Sequence, residues 1–265
     1  MNLADLNYFL NGENFFYHNK YLGVINYICD DCRVGFYSVH VYSRNKPYNI
    51  SKNYMREFYF NKLKHIRMTI LRNKRISRLV HFTPIYNLES IFENGVLSRN
   101  GLDDRRLEYY YSDDIRLDGK LDYICNSISF PNYKMFYSKR MEDEDIKWAV
   151  LSIDSEILID KFDTEFYRRN AASNDPFKYR FNPCSNEALE DMFRDYENRD
   201  PNIPDNYPTD PQAEVLVRDI IDSSYIRCID TLGFNDVARD VALNSKVYYN
   251  PRSDLFGPRM DYRRW

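Results

Sequence analysis

Pro211-Gln212-Ala213-Glu214-Val215-Leu216-Val217 sets one carboxylate inside an apolar run of strand-forming residues. Successive side chains of a strand point to opposite faces, so Gln212, Glu214 and Leu216 share one face and Ala213, Val215 and Val217 pack on the other. The segment therefore reads as a strand over Ala213–Val217. A carboxylate fits poorly among such neighbours unless its face is wet or functional. On pattern alone, an edge-strand glutamate facing solvent and a glutamate that does chemistry are equally good readings. The preceding stretch, Pro201–Pro211, holds four of the eleven prolines and reads as a loop leading into the strand.

Working outward, Leu79–Phe82, Ile124–Phe130, Trp148–Ile153 and Tyr225–Ile229 read as further strands, with Tyr86–Asn94 a short helix ended by Gly95. That texture is an α+β enzyme core. The N-terminal part differs. Tyr21–Cys29 and Val34–Tyr42 are β-branched and aromatic, with Asp30-Asp31-Cys32-Arg33 as a turn between them. From Lys52, the residues Tyr54, Phe58, Leu63, Ile66, Ile70 and Leu71 form a helical apolar stripe with Asn49 or Ser51 as its N-cap. The expected organisation is an N-terminal extension of short strands and a basic helix over 1–78, and a catalytic domain over 79–265.

Composition narrows the class. The hydrophobic share of 43% is ordinary for a globular domain, while 24 Tyr and 17 Phe against 8 Gly are an aromatic excess suited to clefts and binding faces. No apolar run approaches the roughly 20 residues that span a bilayer, and the first residues lack the regions of a signal peptide, so a cytoplasmic protein without membrane association is expected. The five cysteines are odd in number and scattered, as free thiols are. Cys29 and Cys32 form a C-x-x-C that His18 and His40 would have to complete as a zinc site, at unusual spacings. The leading expectation is no metal.

The net charge of −3 conceals an asymmetry. Between Val41 and Val80 stand eleven basic residues and one acidic one, Glu57, a net of +10 that leaves −13 for the rest. Two readings compete for the basic helix: a solvated linker, or a platform for a nucleic-acid backbone with Tyr54, Phe58, Tyr59 and Phe60 available to stack bases. The one-sided charge favours the second, and Arg72, Lys74, Arg75 and Arg78 are its densest cluster.

Three segments stand out for chemistry. Leu79-Val80-His81-Phe82-Thr83-Pro84 precedes Asn87-Leu88-Glu89-Ser90-Ile91 and Asn94-Gly95-Val96-Leu97-Ser98. Arg116-Leu117-Asp118-Gly119 continues through Asp122-Tyr123 and Ser127-Ile128-Ser129-Phe130 to Lys134-Met135-Phe136-Tyr137. The third is the Glu214 strand. In this order they resemble the DarT toxins, DNA-modifying ADP-ribosyltransferases of bacterial toxin–antitoxin systems, over roughly residues 79 to 232.

The resemblance implies an ADP-ribosyltransferase fold, a split pair of β-sheets with NAD⁺ held in the cleft as co-substrate. It implies single-stranded DNA as acceptor and a macrodomain-type antitoxin as a partner that reverses the modification. His81 and Thr83 would hold the nicotinamide side, Asn87 would lie near the dinucleotide, and Met135 and Tyr137 would shape the nicotinamide pocket. Arg116 matches the catalytic arginine, with Arg105 and Arg106 as rivals, and Glu214 is the catalytic glutamate. This chain departs from the pattern at Asn170-Ala171-Ala172-Ser173, where a histidine is usual, and in the segment Tyr123–Phe130. Those departures leave the acceptor base open between thymine and guanine. They also motivate two other readings: a catalytically silent NAD- or nucleic-acid-binding relative, and an RNA-modifying enzyme.

Overall fold

The structure is a computed structural model that describes residues 3–18, 20–31, 33–110, 117–194 and 199–264. The chain divides into two units, Met1–Ile66 and Arg67–Trp265.

In the first unit, Leu3, Leu6 and Leu10 recur at helical spacing and form one stripe of helix α1 (Leu3–Leu10). Four antiparallel strands follow in the order β1 (Asn14–Tyr17), β2 (Lys20–Asp30), β3 (Phe36–Val41) and β4 (Tyr48–Ser51). The sequence predicts β2 and β3; α1, β1 and β4, each eight residues or fewer, are additions. Asn7 of α1 substitutes for a strand partner, donating from Nδ2 to the Ile28 carbonyl at 2.8 Å and accepting from the Ile28 N–H at 2.7 Å. Leu6, Leu10, Phe15, Ile25, Ile28, Val39 and Met55 form the buried centre of this unit. Helix α2 (Lys52–Asn73) starts here, capped by Ser51, whose Oγ accepts from the Tyr54 N–H at 3.2 Å. Asn49, the other N-cap candidate, belongs to β4.

The second unit takes in the end of α2, where Arg67 is 1% exposed. Its guanidinium donates to the Leu158 and Cys184 carbonyls and to Asn186 Oδ1, at 2.8–2.9 Å, between the rings of Phe162 and Phe166. Burial lowers its pKa to about 10. One member of the basic run is therefore an internal tie and not part of a nucleic-acid surface.

Beyond α2 come β5 (Arg78–Pro84), α3 (Leu88–Asn94), β6 (Val96–Leu97), α4 (Arg99–Arg105), β7 (Tyr123–Ile128), α5 (Tyr133–Glu142) and β8 (Trp148–Asp154). Then follow α6 (Ile157–Asp160), β9 (Glu165–Tyr167), α7 (Asn186–Asp191), β10 (Glu214–Arg218), β11 (Ile220–Ile221), β12 (Ile226–Thr231), α8 (Asp236–Ser245) and β13 (Tyr248–Asn250). The predicted strands all form, with no end shifted by more than two residues.

Seven of these strands make one sheet in the order β13-β12-β8-β5-β7-β10-β9. β5 pairs with β8 along its whole length, from Arg78↔Asp154 to Pro84↔Trp148. With β7 it pairs only at Leu79↔Ile128 and Val80↔Ser127. Past Val80 the two strands part, which divides the sheet into a four-strand and a three-strand half. Val80, Phe130, Phe136, Trp148, Val150, Leu255 and Phe256 pack one side of the junction. Gly95 ends α3 at φ 84°, where a Cβ would stand 2.7 Å from the Ile221 carbonyl. Only glycine lets β6 and β11 approach there. Among the described residues no helix is long and apolar enough to cross a membrane.

Candidate active site

A cleft opens where β5 and β7 separate. It encloses about 1130 Å³, part of it open to solvent, and His81, Thr83, Asn87, Met135 and Glu214 all border it. Segments separated by more than 130 residues in sequence are thus brought to one place.

Glu214 is the first residue of β10, which lies between β7 and β9 and is not an edge strand. The side chain is 8% exposed. Its Oε1 accepts from Asn170 Nδ2 at 2.9 Å and its Oε2 from the Ala171 N–H at 2.8 Å. Asn170 Oδ1 in turn accepts from the Ala172 N–H at 2.8 Å, which fixes the amide with its NH₂ toward Glu214. The loop carrying this cradle is itself tied down. Arg168 donates twice to Asp175, at 2.7 and 2.9 Å, and holds that carboxyl below the usual carboxylate range. Arg169 pairs with Asp210 at 3.3 Å, and the Lys178 ammonium meets the Ala171 carbonyl.

Asn170 was legible only as a departure from the family pattern, yet it is the side chain that orients Glu214. Asn170→Ala is expected to lower kcat for nicotinamide release about ten- to a hundredfold, with KM for NAD⁺ moving less than about threefold. Steady-state kinetics check this. An unmoved kcat would show that the Ala171 N–H suffices.

On the opposite wall, His81 bridges the parted strands, with Nδ1 2.8 Å from the Cys125 carbonyl. A carbonyl only accepts, so Nδ1 carries the proton in that contact. Thr83 is 4% exposed and accepts at Oγ1 from Asn87 Nδ2 at 3.0 Å. Asn87 also clamps Tyr110, donating to its carbonyl and accepting from its N–H, each at 3.1 Å. The Asn87 amide thus fastens the segment after α4 to the rim of the cleft.

Met135 borders the cleft from the first turn of α5, whose N-cap Asn132 accepts from the Met135 N–H at 3.3 Å. Tyr137, two residues on and about 200° round the helix, is 58% exposed and is not among the residues lining the cleft. Arg116 lies outside the described residues. Its rivals are not among the residues that line the cleft: Arg105 donates to the Asn94 carbonyl at 3.5 Å, and Arg106 ends α4 in the left-handed region at φ 54°. Among the described residues, the arginine that borders the cleft is Arg99, the first residue of α4 after the N-cap Ser98. The Gly-x-Leu-Ser sequence that ends one element and caps the next was the available signal for it.

The four basic residues grouped by sequence have different surroundings. Arg72 and Arg75 are exposed. The Lys74 ammonium sits over the Phe193 ring at 5.6 Å, and Arg78 donates from β5 to Ser152 Oγ at 3.4 Å. For the C-x-x-C, Cys29 Sγ is 3.7 Å from His40 Nε2, whereas Cys32 lies outside the described residues. Among the described residues no three His, Cys, Asp or Glu side chains gather as a metal site.

The family model that matches this chain is described as "ssDNA thymidine ADP-ribosyltransferase, DarT" and covers residues 80–239. Among solved structures, a Thermosipho africanus DarTG in complex with ADP-ribose is similar at 19% identity and a TM-score of 0.45. The match covers 68% of this chain and 51% of that one, so the chain spans about half the length of that relative. A Thermus sp. 2.9 DarT in complex with carba-NAD⁺ matches at 16% identity and a TM-score of 0.44, over 68% of this chain and 98% of the other. The same Thermus protein in complex with ADP-ribosylated ssDNA matches at 16% identity and a TM-score of 0.42, over 69% and 97%. Comparison with curated proteins gives no match.

Proposed function

Since this chain belongs to the DarT family of ssDNA thymidine ADP-ribosyltransferases, we propose that it transfers ADP-ribose from NAD⁺ to a base of single-stranded DNA in the cleft where β5 and β7 part, as the toxin of a toxin–antitoxin or anti-phage system. The observation that supports this most directly is Glu214, a buried carboxylate held by two N–H donors in the wall of that cleft.

The chemistry gives the carboxylate a purpose. Cleavage of the C1′–nicotinamide bond sends its electron pair out with nicotinamide and leaves positive charge on the ribose ring. A fixed anion beside that ring stabilises the charge as it develops, and a partly enclosed cleft strengthens the effect. A base nitrogen then bonds to C1′ and passes its proton to water at the open side of the cleft. The His81 and Thr83 side places polar groups across from Glu214, and Met135 supplies apolar contact suited to the nicotinamide ring. An arginine suits the pyrophosphate, and Arg99 is available at the cleft.

Mass spectrometry of oligonucleotides incubated with the protein and NAD⁺ tests the reading. A gain of one ADP-ribose on single-stranded DNA containing thymine, and none on oligonucleotides without it, is the expected result. Gain only on thymine-free DNA would move the target to another base, and gain only on RNA or protein would replace the acceptor. Binding of NAD⁺ without nicotinamide release would leave a silent relative.

Arg72 and Arg75 bear on how the strand is held. Changing both to alanine is expected to reduce the log–log dependence of DNA binding on salt by about 1.4, near 0.7 for each single-strand phosphate that is no longer neutralised. A slope equal to that of the parent protein would make the end of α2 a solvated linker.

A further inference from the structure

Two exposed tyrosines stand beside the cleft, Tyr110 among the residues that line it and Tyr86 packed on Tyr110. Tyr110 borders the cleft yet is 57% exposed, and Tyr86, just before Asn87, is 59% exposed. Their rings lie 5.2 Å apart at 40°. Exposed rings occur elsewhere on the chain, as at Tyr179 and Tyr248; what sets these two apart is that they pack on each other beside Asn87, which borders the cleft. That cleft holds the candidate catalytic carboxylate.

The backbone of Tyr110 is held in place. Asn87 grips both the N–H and the carbonyl of Tyr110 at 3.1 Å, and its amide is braced on Thr83. A ring carried on an anchored backbone loses less freedom when a ligand stacks on it. Neither ring carries charge, so the pair does not attract a phosphate backbone; it offers flat apolar surface beside the reaction cleft. The ligand surface that matches is a nucleobase face, which stacks on aromatic rings with little regard to sequence.

Resting on the proposed transfer to single-stranded DNA, we propose that Tyr86 and Tyr110 are the acceptor platform of this enzyme, stacking a base of the strand and presenting it, or its neighbour, to the cleft. Asn87 is then a positioning residue for the platform as much as a part of the donor wall.

The test is steady-state kinetics of the full chain with a thymine-containing oligonucleotide and NAD⁺, comparing the parent protein with Tyr86→Ala, Tyr110→Ala, the double variant, and Tyr86→Phe with Tyr110→Phe. The alanine pair is expected to raise the oligonucleotide KM about tenfold or more, with kcat at saturating oligonucleotide changing far less. The phenylalanine pair is expected to restore it. The salt slope of DNA binding is expected to match the parent's, because stacking releases no counterions. An oligonucleotide KM within twofold of the parent's in the alanine pair overturns the proposal, and so does a rise in the NAD⁺ KM alone, which would assign the rings to the donor. A parent protein that releases nicotinamide but modifies no oligonucleotide overturns the functional reading and the platform with it; the first two results overturn the platform alone.

Discussion

Glu214→Gln is expected to reduce nicotinamide release and DNA modification by at least about a thousandfold. The exchange removes a full negative charge from beside the ribose while keeping the size of the side chain. Its structural cost is also defined. Both carboxylate oxygens accept from N–H donors, Asn170 Nδ2 and the Ala171 N–H. A glutamine amide turns an NH₂ toward one of them, and Asn170 cannot flip to receive it because its own Oδ1 accepts from Ala172. The resulting donor-to-donor contact costs about 1–3 kcal/mol, a fall in Tm of roughly 2–12 °C for a unit of this size. The loss of rate far exceeds that and should be present well below the melting range. Isothermal titration with NAD⁺ checks that the cleft still binds its substrate. Near-parent activity in a folded Glu214→Gln protein would strip Glu214 of its role and return it to the reading of an ordinary polar residue.

Much of the frame was legible. Alternation found β10 and β5, and Gly95 marked the end of α3, because those signals are local and the chain obeys them locally. What pattern could not show is which strand flanks β10. The flanking strand β9 has three residues, Glu165–Tyr167, too few for alternation to register. Its presence is what turns Glu214 from an edge glutamate into a buried one. The hold on Glu214 was hidden for a related reason: Asn170 and Ala171 reach it from a loop 43 to 44 residues away, and loops carry no periodicity. Charge counting misled at Arg67, since a run of basic residues does not say which member turns inward; the apolar stripe through Leu63, Ile66, Ile70 and Leu71 encloses its position. Tyr137 was paired with Met135 through the Met-x-Tyr of the family resemblance; of the two, Met135 is the one that lines the cleft.

The last expected result concerns the segment after β13, beyond the residues matched by the family model. Arg259 is 2% exposed and Asp261 3% exposed. The guanidinium meets Asp261 through Nε at 2.6 Å and Nη2 at 2.5 Å, and donates to the Pro208 and Thr209 carbonyls at 2.8 and 2.9 Å. Those carbonyls belong to the proline-rich loop that leads through Asp210 into Glu214. Arg259→Ala leaves the Asp261 carboxylate buried without its cation, which costs about 3–5 kcal/mol, or roughly 6–20 °C in Tm. Replacing both partners, Arg259→Met with Asp261→Leu, removes the unpaired charge and is expected to recover most of that loss, because a buried ion pair gains little over packed apolar groups. Activity should not recover in parallel. The double variant still leaves the Pro208 and Thr209 carbonyls without their donor, so the lead-in to Glu214 is free to shift, and a displacement near 1 Å at a catalytic group costs about a hundredfold. Thermal melts and kcat measured on the single and double variants separate the two effects. If kcat returns with Tm, the pair serves stability alone; if Tm returns without kcat, the Arg259 segment sets the position of the proposed catalytic carboxylate.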